Sequence, residues 1–425
     1  MSTEESSHRI VRLSVVIAML SIALCAQAAD KYTVIRAFNP STGGGIPYGA
    51  LFMDEKGNLY GANSAGGTNG WGTIFELTPN AQGGWKYTQL YDCGVRLDCA
   101  VPMGSLVMDH AGNLYGVTIF GNVFEVIPDG AGGWTASVIR VFGGGFDGNQ
   151  PSPLVIDSAD NLYGTNATGG SDSLGYAFEL SKSGGSWSLI HLHDFKGSDG
   201  AETTNTAGGI VAGVTLDSAG NLFGTTGAGG SSSKCSGGCG VVFKLTNESG
   251  IWTESVLHSF GDADGSNPNA ALLIDQSGNL FGTATAGGKD GLGVVFETSP
   301  ASGGSWTTRV LHHFTGIHLD GAYPNAALVM DSAGNLYGST FAGGGDLQSC
   351  QVLNDNGCGT VFEVSLNSGQ WKTTILHAFS GRRDGGFPGG VVLGADGGLY
   401  GAAQSGGSMS EGVVFKLSAT EATAH

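Results

Sequence analysis

Positive charge is scarce in this chain. Its 425 residues include 18 Lys+Arg against 36 Asp+Glu, a formal net charge of −18. Nucleic-acid binding draws on a basic surface, as does attraction to anionic membranes, so the balance argues against both. It fits solubility, or affinity for cations and neutral polymers. Long apolar runs are lacking after residue 28, so no membrane span is expected beyond that point. Helical periodicity is lacking over the same stretch. Catalytic signatures are missing too: there is no GxSxG, no HExxH and no EF-hand loop. Cysteine is limited to seven and proline to 11.

Glycine is what the chain has in quantity, 76 residues. The glycines fall at fixed places between apolar runs, which marks turns and bulges rather than low complexity. One stretch returns throughout. GNLYG stands at 57–61, 112–116 and 334–338, with variants at 160–164, 220–224, 278–282 and 397–401. The closing glycines are 48 to 63 residues apart. Seven copies at such a period indicate a repeat architecture.

Each repeat divides into four short runs rich in β-branched and aromatic residues. In the fifth these are Ala270 to Asp275, Leu280 to Thr283, Gly293 to Thr298 and Trp306 to Phe314. The first connection is a tight turn opened by Asp54, Asp109, Asp157, Asp217, Asp275 or Asp331, read as turn residues rather than ligands. Gly394 replaces the aspartate in the seventh copy, so a softer turn is expected there. The third connection is a hairpin ending at Trp85, Trp134, Trp187, Trp252, Trp306 or Trp371, read as plugs between sheets rather than sugar platforms. The other two connections are long, and in an up-and-down sheet they share one face.

A four-stranded unit repeated seven times reads as an all-β, seven-bladed β-propeller. Small residues five places before the first turn, Gly49, Gly104, Ser152, Ala212, Ala270, Ala326 and Gly389, fit an innermost strand crowded at the axis. The seventh repeat stops after Val413 to Leu417. Tyr32 to Phe38 has the pattern of the missing fourth run, so the first strand is expected to complete the last blade. Residues 1–28 read as a secretory signal: Arg9 and Arg12, an apolar core from Leu13 to Leu24, and an Ala26-Gln27-Ala28 cleavage site. The domain plan is therefore 1–28 signal, 29–417 one propeller and 418–425 a short tail. A secreted or periplasmic location follows. The six remaining cysteines form close pairs, Cys93/Cys99, Cys235/Cys239 and Cys350/Cys358. In an exported chain these read as local disulfides that stiffen loops.

GNLYGTT, a Gly-Gly loop, GVVFELT and W-x-LHxF together resemble the GloVer tandem repeat of exported bacterial proteins, over nearly all of the chain after residue 28. The resemblance implies export and a tandem β fold, and no known activity. The GG-then-Trp arrangement is also similar to kelch repeats, which form propellers.

His193, His258, His312 and His377 share one repeat position, filled elsewhere by Arg36, Tyr91 and Arg140. Copies on a ring cannot converge on one ion, so no metal site is read from them. The histidines are expected to cap strand edges or to pair with the Asp-Gly carboxylates of the long loops. Those carboxylates, Asp147, Asp199, Asp264, Asp320 and Asp384, make the long-loop face the candidate ligand surface and should render it negative. Glu202, His318, Tyr323 and His191 are the irregular candidates nearby. No cofactor is evident, though the carboxylates admit Ca2+. The preferred function is a non-enzymatic binding or scaffold module for glycan, protein or cations, acting as a monomer. The alternative is a glycan lyase or hydrolase with acids or histidines at the central mouth. Lys244, standing where five other repeats carry Glu76, Glu125, Glu179, Glu297 and Glu363, is expected to face Glu254 across its hairpin.

Overall fold

The computed structural model describes residues 32–94, 98–201, 212–317, 319–345, 350–352 and 355–418. The signal segment and residues 419–425 lie outside that set. Seven antiparallel sheets, each built on four strand positions, form the blades of a β-propeller. In the fifth blade the strands are Leu273–Ile274, Leu280–Ala284, Val294–Pro300 and Trp306–His313, from axis to rim. A two-stranded ribbon, Gln351–Val352 with Asp355–Asn356, adds to the sixth blade.

The ring closes as expected. Tyr32–Ala37 pairs antiparallel with Val413–Leu417, Tyr32 opposite Leu417 and Ala37 opposite Val413. The core confirms closure: it is seven clusters, each shared by two neighbouring blades. Phe38, Leu51, Phe75, Tyr400 and Val414 knit the last blade to the first.

The repeated letters now have physical causes. The Asp of each first turn holds it through side-chain acceptance. Asp109 Oδ1 takes the amides of Ala111 (2.9 Å) and Asn113 (2.8 Å), while Oδ2 takes Asn113 Nδ2 (2.7 Å) and the Tyr115 hydroxyl (2.9 Å). Gly112 supplies the φ of 85° that the turn needs. The closing glycine of GNLYG makes room for a phenylalanine of the third strand. A Cβ on Gly282 would stand 2.6 Å from Phe296 Cζ and 2.7 Å from Leu272 Cδ2. Four of the tryptophans lie edge-on against the aromatic ring of the preceding blade's GNLYG, as with Trp187 on Tyr115 (5.7 Å) and Trp85 on Tyr400 (5.6 Å), and Trp306 lies tilted on Phe223. They are plugs, as read.

Three features differ from expectation. Several inner strands are shorter than the runs that suggested them, two residues each at Phe52–Met53, Val155–Ile156 and Leu273–Ile274, whereas Pro102–Met108 and Gly386–Leu393 extend over seven and eight residues. The axial end of such a run is held by the preceding blade instead: Ala270 O accepts from Thr225 Oγ1 (3.2 Å) and Ala326 O from Thr283 Oγ1 (3.3 Å). The seventh turn does not lose its carboxylate. Asp396, two residues after Gly394, accepts Gly398 N (3.0 Å), the Tyr400 hydroxyl (2.8 Å) and Lys416 Nζ (2.6 Å). Finally, Lys244 faces Ser255, whereas Glu254 faces Leu245. Side chains alternate along a strand, so one residue of register sends Glu254 to the opposite side of the sheet from Lys244. The directly opposed ion pair occurs instead in the fifth blade, Glu297 with Arg309 (2.7 Å).

Candidate functional site

Four surfaces bear on function: the axial channel, the long-loop face, the tight-turn face and the joints between outer strands. The channel is a cavity of ≈ 150 Å³ to which every blade contributes, among others Ala50, Ser105, Leu154, Gly213, Ala271, Ala327 and Gly389. The small residues are needed there: a Cβ on Gly389 would stand 2.7 Å from Gly49 O. The polar lining is Ser105, Asn269 and Asn325, and the described lining holds no acid, histidine, lysine or arginine.

Around the long-loop mouth, the residue before each inner-strand proline has a left-handed backbone: Ile46 (φ 55°), Val101 (52°), Gln150 (63°), Asn267 (56°), Tyr323 (57°) and Phe387 (58°). Such a conformation in Ile or Val signals strain. The cause is a clasp between blades. The twisted backbone turns its N–H to the preceding blade, Val101 to Trp71 O (2.7 Å), Tyr323 to Leu292 O (2.9 Å), Phe387 to Cys358 O (2.7 Å). The following proline then lies against a glycine of that blade, as Pro324 does on Gly293. Tyr323, an irregular candidate, is therefore one of the clasp residues.

The five Asp-Gly carboxylates lie in the long loops at the ends of the outer strands, one per joint, and each meets the strand residue expected of it. Arg140 contacts Asp147 (2.7 Å), His193 contacts Asp199 (3.0 Å) and His258 contacts Asp264 (2.8 Å). His312 contacts Asp320 (3.2 Å) and His377 contacts Asp384 (3.4 Å). Burial alone would raise the pKa of Asp384. The His377 imidazole, 3.4 Å away, and hydrogen bonds from the Ser380 amide and hydroxyl outweigh it and hold the value at about 2. Asp264 and Asp320 are lowered in the same way, by His258 and His312 against the burial effect. These aspartates stand apart from one another and serve their joints. His191 is sandwiched between Tyr176 (3.8 Å) and Phe146 (4.8 Å), with Nδ1 3.0 Å from Asp194. Glu202 and His318 lie outside the described residues.

The outer strands carry a feature that the sequence reading missed. In all seven blades the pairing of third and outer strands slips by one residue beside the His position, as between Val242 and Phe243. The extra residue, Leu257 in blade four, turns into the core shared with the next blade. This bulge is why the motif reads Leu-His-x-Phe: the leucine packs inward while the histidine reaches the loop carboxylate. Cys93 takes the place of the motif's phenylalanine in the first blade.

All three disulfides form, Cys93–Cys99, Cys235–Cys239 and Cys350–Cys358. Such bonds fit an oxidising compartment. No helix among the described residues is long and apolar enough to cross a membrane. Cys93 and Cys99 do more than stiffen a loop. Both are fully buried in the core between blades one and two.

On the tight-turn face the first three blades enclose a cleft of ≈ 700 Å³ lined by Met53, Asp54, Met108, His110, Ile156 and Asp160, among others. Asp54, Asp109 and Asp157 in its lining are engaged in their turns, and Asp160 holds His110 Nδ1 at 2.7 Å. Of these two recesses, the cleft is larger than the channel.

One carboxylate has no such engagement. Glu254 turns from its own strand toward His193 and Asp199 of the third blade. Its pKa is pushed up to about 7 by burial and then by the charge of Asp199.

A solved gluconolactonase from Xanthomonas campestris is 13% identical, with a TM-score of 0.41 over 70% of this chain and 84% of its own. No curated protein matches the chain. The model of the Gloeobacter/Verrucomicrobia repeat matches residues 24–204 and 119–353, which together span most of the sequence, and the chain belongs to that repeat family.

Proposed function

We propose that the protein is an exported binding propeller, secreted or periplasmic, that takes a protein partner on its long-loop face. The observation that carries this is where apolar side chains meet solvent. Twelve large apolar residues are exposed among those described. Seven of them, Ile46, Trp71, Ile119, Phe146, Ile317, Leu319 and Met409, belong to the long-loop end of the blades. Exposed apolar groups gathered on variable loops of a rigid scaffold favour recognition. Five of the seven are aliphatic, which suits a protein surface better than the flat faces of a glycan. The channel lining supports binding over hydrolysis or elimination, since those need convergent acids or bases.

The test is site-specific photocrosslinking in cells of the source organism. Crosslinkers at positions 71, 119 and 146 should trap one common partner. Those at 251 and 366, on the opposite face, should trap none. Equal trapping from both faces would overturn the assignment of the face. Turnover of a glycan by the purified chain, abolished by substitutions at Asn269 or Asn325, would establish the enzymatic alternative instead.

A further inference from the structure

The outer strand of every blade has one side chain four residues before its His, Arg or Tyr position, and in three blades that side chain meets the residue at this position in the preceding blade. In the seventh blade it is Tyr32, stacked on His377 at 4.0 Å. In the first it is Tyr87, with the Arg36 guanidinium 4.2 Å from its ring. In the second, third, fifth and sixth it is Ala136, Leu189, Thr308 and Thr373. All are uncharged. In the fourth blade it is Glu254. This substitution sets a second carboxylate beside Asp199 from a position that is uncharged in the other six blades.

We propose that His193, Asp199 and Glu254 form a binding site for a divalent transition cation, Zn2+ or Mn2+, at the joint of blades three and four. One donor atom from each residue lies within 4.8 Å of the other two. His193 Nε2 and Asp199 Oδ2 already stand 3.0 Å apart. A metal with bonds of about 2.0–2.2 Å to nitrogen and oxygen holds its ligands about 3–3.5 Å apart, so a modest swing of the Glu254 side chain completes the set. Glu254 Oε1 is sealed from solvent and has no hydrogen-bond partner. A sealed, unsatisfied carboxylate oxygen is costly to keep unless a cation or proton meets it. Asp199 is held in place through its other oxygen by Lys196 N at 2.7 Å. The three ligands come from two blades and a connecting loop, so a bound ion would staple the joint. One imidazole and two carboxylates suit zinc or manganese; calcium prefers a shell of oxygens. The site lies at the joint of the outer strands and does not depend on which partner the long-loop face takes.

The full chain, stripped with EDTA and exchanged into chelator-free buffer at neutral pH, is titrated by calorimetry with ZnCl2, MnCl2 and CaCl2 in turn. One equivalent of Zn2+ or Mn2+ should bind, more tightly than Ca2+, and raise the melting temperature. Glu254→Thr installs the residue that blades five and six carry at this position, and Glu254→Gln keeps the shape. Either should weaken binding at least tenfold. The proposal fails if the parent binds no stoichiometric Zn2+ or Mn2+, if Ca2+ binds more tightly, or if both variants bind as the parent does. In the first case the second carboxylate is met by a proton.

Discussion

At the scale of the residue, three positions show what the repeat requires. Gly282 is demanded by space: a methyl group would press on Phe296, fully buried, and on Leu272, 3% exposed. Neither has room to retreat in a close-packed joint. Gly282→Ala is expected to lower stability by about 1–3 kcal/mol, the usual cost of overpacking, read as a shift in the denaturation midpoint. Gly278, in the turn before it, has φ 80° and open space around its missing side chain apart from the edge of Pro300. It is there for backbone conformation rather than packing. Asp384 shows the electrostatic side. Its pKa is depressed in the folded state, to about 2, against about 3.9 in an unfolded chain. The unfolded state therefore binds the proton first as pH falls. The stabilisation from the His377–Asp384 pair is complete above about pH 4 and is lost as pH drops toward 2. Asp384→Asn should lower stability at neutral pH and flatten the acid limb of the stability–pH curve. An unchanged acid limb would show that the pair contributes nothing there.

At the scale of the element, the outer strand explains both what could be read in the sequence and what could not. The strands, turns and tryptophan plugs were legible because each rests on a local cause that recurs: an acceptor at the head of a turn, a glycine opposite a phenylalanine. The pairing of His or Arg with the loop Asp was legible for the same reason. Register was not. Glu254 and Lys244 look like partners by distance along the chain, but the ladder pairs Lys244 with Ser255, and nothing local in the sequence announces a one-residue offset. The left-handed residues before proline were also hidden, because Ile46 and Val101 are poor choices for that backbone. Their conformation is imposed by the neighbouring blade. The first disulfide depends on the same between-blade context. By chain entropy alone, the Cys93–Cys99 and Cys235–Cys239 loops are each worth about 2 kcal/mol. Cys93 and Cys99 also fill core space, whereas Cys235 is half-buried. Replacing Cys93 and Cys99 by Ser should therefore cost distinctly more, in paired denaturation curves, than replacing Cys235 and Cys239. Equal losses would mean that the buried pair adds no packing energy.

At the scale of the whole molecule, the question is whether seven units behave as seven or as one. Repeat proteins with free ends can fray unit by unit. Here the core is distributed over the joints, and the joint between the last and first blades is built like the others. That joint depends on the short segment Tyr32–Ala37, which gives the seventh blade its outer strand. Its first residue makes three ties to the sixth blade and the loop that follows it. Tyr32 stacks on His377, meets Phe379 edge-on at 5.9 Å, and donates its hydroxyl to the Asp384 carbonyl. Deleting residues 29–38 would remove those ties and take Phe38 out of the last-to-first core. It would also expose the Val413–Leu417 strand as an open edge, a template for pairing with another chain. The intact chain should unfold in one cooperative transition. The truncated chain should melt at lower temperature, lose cooperativity and associate, as read by calorimetry and light scattering. A synthetic peptide covering residues 30–39, added in trans, should restore the monomer by refilling the edge, whereas a scrambled peptide should not. A truncated chain that melts at the same temperature and remains monomeric would show that the ring holds without its closing strand.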